Sequence, residues 1–309
     1  MRPVYRILLL VAAVAGALLL WQTRSNSPAS VVDALLPNFA TNRTPSQTFA
    51  VIGDNEGSNP VYDDLIRQIA ADSAIQFVLH VGDATSTGAA AELQALKTLH
   101  EKLGLRVPVY MVPGNHDIID DQATQAWSKN VGERWRSLDV GNVHLVLLDN
   151  ADRKVGFPTD ELDWLEKDLA DSPSRRLADS VTILAFHRPF NYPLANILGD
   201  DETRTSRASN ERFMQILAAN PVDYIFTGHV HTAIDYTMVL ERDANDRIAK
   251  SVPVTVSGGG GQPIQAAFGG LLKEKFHALK VEVVGKEVRT SFILPRVDPS
   301  LVLPSERGG

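Results

Sequence analysis

The chain has 309 residues, 44% of them hydrophobic and 22% charged, enough apolar material for a substantial core in one large domain. Its net charge of -7 argues against a nucleic-acid backbone as partner, because that electrostatic footprint is basic. Cysteine is absent, which excludes disulfides, thiolate zinc sites and cysteine nucleophiles and leaves only nitrogen and oxygen donors for any metal.

Arg2 and Arg6 precede the uncharged apolar run 7–21, which ends at Trp21. A basic flank before such a run is an export pattern, with the positive end kept in the cytoplasm. Residues 1–21 are therefore expected to form a single apolar helix, preferred as an uncleaved membrane anchor because the triplet Ala13-Val14-Ala15 lies inside the run, where cleavage would be misplaced. A cleaved signal peptide and a secreted protein are the alternative, and either puts the body outside the cytoplasm. Residues 22–47, rich in Ser, Asn, Thr and Pro, read as a tether. The folded domain is expected over 48–294. Its first part alternates strands at 48–52, 77–81, 107–112, 143–148, 181–185 and 222–226 with helices at 60–71, 89–103, 159–169 and 211–219. Thr159 or Asp160 is the expected cap of the third helix. The nearly continuous apolar run 143–148 argues for a sheet covered on both faces. Beyond it, strands at 233–240, 248–256, 276–284 and 287–294 follow without long helices, which predicts a second, antiparallel portion. Residues 295–309 read as a loose tail.

The strands of the first part run into polar residues: Gly53-Asp54-Asn55-Glu56, Gly82-Asp83, Gly114-Asn115-His116-Asp117, His187, and Gly228-His229-Val230-His231. Sites in α/β proteins form at such carboxyl ends. Singly, each residue has an ordinary explanation as a turn, a helix cap or a structural histidine. Together they supply what a pair of neighbouring cations requires, a shared carboxylate with His, Asn or Asp at each end. His229 and His231, two apart, would face the same side of an extended strand. His80, His100, His144 and His277 lie outside this pattern and read as structural.

This ordered set resembles the calcineurin-like metallophosphoesterase family, which includes purple acid phosphatases and cyclic-nucleotide phosphodiesterases. The similarity continues through Gly141-Asn142-Val143-His144, Leu162-Asp163-Trp164-Leu165 and 257–261, and so covers most of 48–294. The resemblance implies an α/β fold, a four-layer αββα sandwich of two mixed β-sheets with a dinuclear site at their edge, here preceded by the N-terminal apolar helix. It implies Asp83 as the bridge between two divalent or trivalent metal ions, Asp54 and His231 on the first, and Asn115, His187 and His229 on the second. His116 would protonate the departing alkoxide while a bridging water attacks a phosphate mono- or diester in line. No Gly-x-Ser-x-Gly elbow competes with that reading.

Two departures from the family pattern stand out. Many members carry Asp-x-His at the first motif, where this chain has Asp54-Asn55-Glu56. As a ligand, Glu56 would favour Mn or Fe over Zn; otherwise the first site is a ligand short. Purple acid phosphatases place a Tyr where Ser86 stands, so an iron-tyrosinate colour is not expected. The substrate is expected to be a phosphorylated small molecule or macromolecule. Arg188, Arg204 and Arg207, in a predicted polar loop over 188–208, either meet its oxygens or pair with Asp200, Asp201 and Glu202. The alternative function is a membrane-tethered binding scaffold with a degenerate metal site, for which Glu56 is the one positive hint.

Overall fold

The computed structural model describes residues 46–172, 179–192, 203–264 and 275–298. The expected apolar helix over 1–21 lies outside the described residues, as do most of the tether and tail. Among the described residues no helix is long and apolar enough to cross a membrane.

Strand β1 (Ser46–Ile52) shows why two layers form on either side of it. Phe49 and Val51 point to one face and Ala50 and Ile52 to the other, all fully buried, so both sides of the strand meet a core. Helix α1 (Pro60–Ala71) follows, capped by Asn59, whose Oδ1 accepts from the Tyr62 N–H at 2.8 Å, with Pro60 in the first turn. Its Val61, Tyr62, Leu65, Ile66 and Ile69 form the buried stripe. Then come β2 (Val78–His80), α2 (Ala90–Lys102), β3 (Val109–Met111), α3 (Asp121–Asn130), β4 (Arg136–Val140), β5 (Val143–Leu147), α4 (Thr159–Asp171), β6 (Val181–Ala185), α5 (Arg204–Ala219), β7 (Tyr224–Thr227), β8 (Ala233–Arg242), β9 (Ile248–Ser257), β10 (Ala278–Val284) and β11 (Glu287–Ile293).

The strands form two mixed sheets, one ordered β11-β10-β1-β2-β3 and the other β4-β5-β6-β7-β9-β8. In the first, β1, β2 and β3 are parallel and β10 runs antiparallel to β1. In the second, β5, β6, β7 and β9 are parallel, with β4 and β8 antiparallel at the edges. A shared core fills the space between the sheets, where Phe49 of β1 meets Phe226 of β7 edge to face at 6.0 Å. On the outer face of the first sheet, α1, α2 and Trp127 of α3 pack against Ala50, Ile52, Val78 and Met111. On the outer face of the second, α4 and α5 pack against Val146, Leu184, Ile225 and Val254. The layers run α, β, β, α.

Four expectations need correction. The last four strands are not a separate antiparallel portion: the pair β8 and β9 extends one sheet and the pair β10 and β11 extends the other. Neither Thr159 nor Asp160 caps α4; the cap position is Pro158, which offers no side-chain acceptor. Helix α5 begins at Arg204 rather than at 211, because Thr203 caps it through Ser206 N–H at 3.1 Å, so Arg204 and Arg207 are helical. The residues just past β11 are docked, with Val297 on the α1 core and the Arg296 N–H donating to Asp64 at 2.7 Å.

Candidate metal centre

Parallel strands of both sheets deliver their carboxyl ends to one edge, and backbone hydrogen bonds join the loops that follow. The Asp54 N–H reaches the Gly82 carbonyl at 3.0 Å, the Gly228 N–H the His187 carbonyl at 3.0 Å, and the Gly260 N–H the Gly53 carbonyl at 2.9 Å. This closeness requires glycine at Gly114, where a Cβ would stand 2.1 Å from Asp83 Oδ1. Asp54, Glu56, Asp83, His229 and His231 all have left-handed backbones, with φ between 47° and 72°. Non-glycine residues rarely adopt that conformation, and it clusters at functional sites. His229 and His231 thus share a side through a turn, not through the extended strand their spacing suggested.

Three groups of side chains converge, each with donor atoms within 4.8 Å of one another: Asp83, His187 and His229; Asp54, Asp83 and His231; and Glu56, Asp83 and His116. Asp83 is common to all. The first two groups each draw from both sheets. His187 Nδ1 donates to the Val81 carbonyl at 2.8 Å, which turns Nε2 toward Asp83 Oδ2 at 3.1 Å and His229 Nδ1 at 3.2 Å. His231 Nδ1 donates to the Pro263 carbonyl at 2.8 Å and turns Nε2 toward Asp54 Oδ1 at 3.6 Å. A carbonyl behind each ring fixes its orientation and turns the other nitrogen inward, as in metal-binding histidines. Asp54 also accepts from the His229 N–H at 2.9 Å.

Electrostatics agrees with this arrangement. Burial pushes the Asp54 carboxyl well above the usual range, against the pull of His187. Burial would depress His187, but Asp83 beside it outweighs that and lifts it to about 9. Buried carboxylates and inward-facing imidazole nitrogens in one pocket need positive charge among them, and this nitrogen and oxygen set suits Mn, Fe or Zn. The residues present therefore fit a bound metal, with Asp83 common to each group of donors.

The remaining expected residues are placed as follows. Asn115 sits between Gly114, packed on Asp83, and His116, whose N–H donates to Asp83 Oδ1 at 2.9 Å; its own Oδ1 accepts from Arg188 Nη1 at 3.2 Å. His116 donates from Nδ1 to the Ser86 carbonyl at 3.1 Å, leaving Nε2 outward, 3.8 Å from Glu56 Oε1. Glu56 therefore groups with His116 and Asp83 and not with Asp54 and His231. Burial raises the Glu56 carboxyl. Arg204 lines a cleft of about 450 Å³ with Val155, Phe157 and Arg212, a cleft that none of the converging donors lines. His80 is buried and held neutral, at about 3, with Nε2 on Asn55 Oδ1 at 2.7 Å. His100 bonds the Tyr62 hydroxyl, His144 bonds Asp139 and Asp168, and His277 bonds Ser257.

Asp117 was missed as a working residue. Fully buried, it accepts from the N–H groups of Ala84, Thr85 and Gly114 and from the Thr85 hydroxyl, tying the Asp83 loop to the Asn115 loop. Its place in the Gly114-Asn115-His116-Asp117 motif was the only signal in the sequence.

Residues 47–233 match the family model for calcineurin-like phosphoesterases. The 3′,5′-cyclic adenosine monophosphate phosphodiesterase CpdA of Escherichia coli K12 is 30% identical over 144 residues, covering 42% of this chain and 46% of that protein. The chain thus spans about half the length of the curated relatives it matches. Among solved structures, purple acid phosphatase PPD1 of yellow lupin superposes with a TM-score of 0.61 at 18% identity, over 81% of this chain and 51% of that one. GAP50, the anchor in the inner membrane complex of Plasmodium, gives 0.57 at 14% identity, over 82% and 85%. At these identities the likeness to solved structures is one of fold.

Proposed function

The chain belongs to the calcineurin-like phosphoesterase family, and from that premise we propose that it is a metal-dependent phosphoester hydrolase that cleaves a phosphate mono- or diester with two cations held at one sheet edge. In this reading Asp83 would be shared by both ions, Asp54 and His231 would hold the first, and Asn115, His187 and His229 would hold the second. When bound, such ions would supply positive charge for the phosphoryl oxygens and lower the pKa of a water that could attack phosphorus. His116, with Nδ1 fixed on Ser86, carries its transferable proton on Nε2 and gives it to the ester oxygen as the bond to phosphorus breaks. Water is the nucleophile, and no covalent enzyme intermediate is needed.

The observation that carries the reading is the convergence of two donor groups on Asp83. Support for Glu56 as a ligand of the first ion is weaker, since it faces His116. The test is metal analysis of the purified protein with hydrolysis of a chromogenic monoester and diester in added Mn. Two metals and turnover are expected; metal-free, inert protein would favour the scaffold reading. We further propose an exported protein anchored by residues 1–21, supported by the Arg2 and Arg6 flank before the apolar run. Recovery in the membrane fraction with an intact N-terminus would bear this out, and a soluble cytoplasmic protein would refute it.

A further inference from the structure

Asn150 grips the backbone of Arg188 on both sides. Its Oδ1 accepts the Arg188 N–H at 2.9 Å and its Nδ2 donates to the Arg188 carbonyl at 2.7 Å, and Asn150 is only 4% exposed. The turn carrying Asn150 is itself held from behind. Glu161 Oε1 accepts the Asp149 N–H at 2.8 Å, Asp149 Oδ1 accepts the Ala151 N–H at 3.0 Å, and Asp149 Oδ2 pairs with Arg134. Glu161 is fully buried, and burying a carboxyl group is costly. Pro189 restricts Arg188 further, since a residue before proline is held extended. All this fixes the origin of one side chain, whose guanidinium reaches Asn115 Oδ1 at 3.2 Å, at the rim of the donor set.

We propose that Arg188 binds a non-bridging phosphoryl oxygen of the substrate and that Asn150 is the residue that positions it. The inference rests on the phosphoesterase reading and adds a substrate contact to it. A guanidinium next to a pair of cations is repelled by them, so a built support for it makes physical sense when an anion lies between. A phosphoryl group is that anion, and the planar fork of arginine, with its five N–H donors, matches phosphoryl oxygens. Of the three arginines singled out in the sequence, Arg188 reaches the donor set through Asn115, whereas Arg204 and Arg207 lie in the first turn of helix α5.

The test uses the full chain loaded with Mn, p-nitrophenyl phosphate and bis-p-nitrophenyl phosphate as substrates, and inorganic phosphate as inhibitor. Arg188→Ala is expected to raise KM and the phosphate inhibition constant about 10- to 100-fold, the loss of one charged hydrogen bond, with bound metal unchanged. Added guanidinium should restore part of that loss in Arg188→Ala, and Arg188→Lys should recover part without it. Asn150→Ala should move KM in the same direction by less, without rescue by guanidinium, and the double variant should be no worse than Arg188→Ala. Wild-type KM and phosphate inhibition in Arg188→Ala would overturn the proposal. So would loss of metal and kcat with KM unchanged, which would make Arg188 a prop for Asn115 alone. Wild-type protein that neither hydrolyses the esters nor binds phosphate would overturn the phosphoesterase reading and this inference together.

Discussion

Replacing Gly114 with alanine adds one methyl group where the two loops that flank Asp83 touch. The new Cβ would stand 2.1 Å from Asp83 Oδ1 and 2.2 Å from the Asp83 backbone nitrogen, about 1.3 Å short of the 3.4 Å at which ordinary contact begins. Half of that contact is main chain, so no rotamer change relieves it and one loop must move. Overpacking of this kind costs about 1–3 kcal/mol, or a Tm lower by about 2–12 °C in a domain of this size. The larger effect falls on metal binding, because ligand distances tolerate only about 0.2 Å. Mn at about 100 times its Kd stabilises the wild type by about 2.7 kcal/mol. A Kd weakened about 100-fold reduces that to about 0.4 kcal/mol at the same Mn concentration, so a metal-dependent rise in Tm of several degrees shrinks to about one. Thermal unfolding with Mn and with chelator measures both quantities. A Gly114→Ala protein that keeps the full metal-dependent rise would refute the claim that this close approach sets the position of Asp83.

His116→Ala should lower turnover about 10²- to 10⁴-fold while metal content by elemental analysis stays at the wild-type value; equal loss of both would contradict its role as acid. Glu56→Gln is expected to retain the wild-type metal stoichiometry, since the carboxylate faces His116, and a missing ion would show that it is a ligand. Asn59→Ala removes the α1 cap and the side-chain bonds to the Asn55 and Gly260 carbonyls, and should cost at least about 0.5–2 kcal/mol by denaturant unfolding. His144 is raised above 6.5: burial opposes this, but bonds to Asp168 and Asp139 prevail. A raised histidine contributes stability that is fully present below about pH 6.5 and is lost as pH rises through its folded value. Denaturant midpoints should therefore fall as pH rises above about 6.5, and His144→Gln should flatten that slope; an unchanged slope would count against the assignment.

The convergence of Asp54, Asp83, His187, His229 and His231 was legible because each follows a strand end, and which side chain stands there is written in residue type. The partners that aim His187 and His231 were not, since the carbonyls of Val81 and Pro263 belong to backbone that any residue supplies. Helix α3 escaped notice because only Ala123 and Trp127 are buried along it, too few to set a period. Strand β4 did so as well, a half-exposed edge of Arg136, Ser137, Leu138, Asp139 and Val140 with little apolar alternation. The left-handed turn at His229 and His231 mimics a strand in spacing alone, and the sequence has no glycine at either position to betray it.

Because Asp83 and Asp54 rise from one sheet while His187, His229 and His231 descend from the other, the ions would act as a clasp across the mouth of the sandwich. Any slip of one sheet over its neighbour, such as one begun at the crossed rings of Phe49 and Phe226, would be felt there as misaligned ligands. Turnover would then report on how firmly the two halves are seated, and a repacked interior could silence the protein without touching a single donor atom.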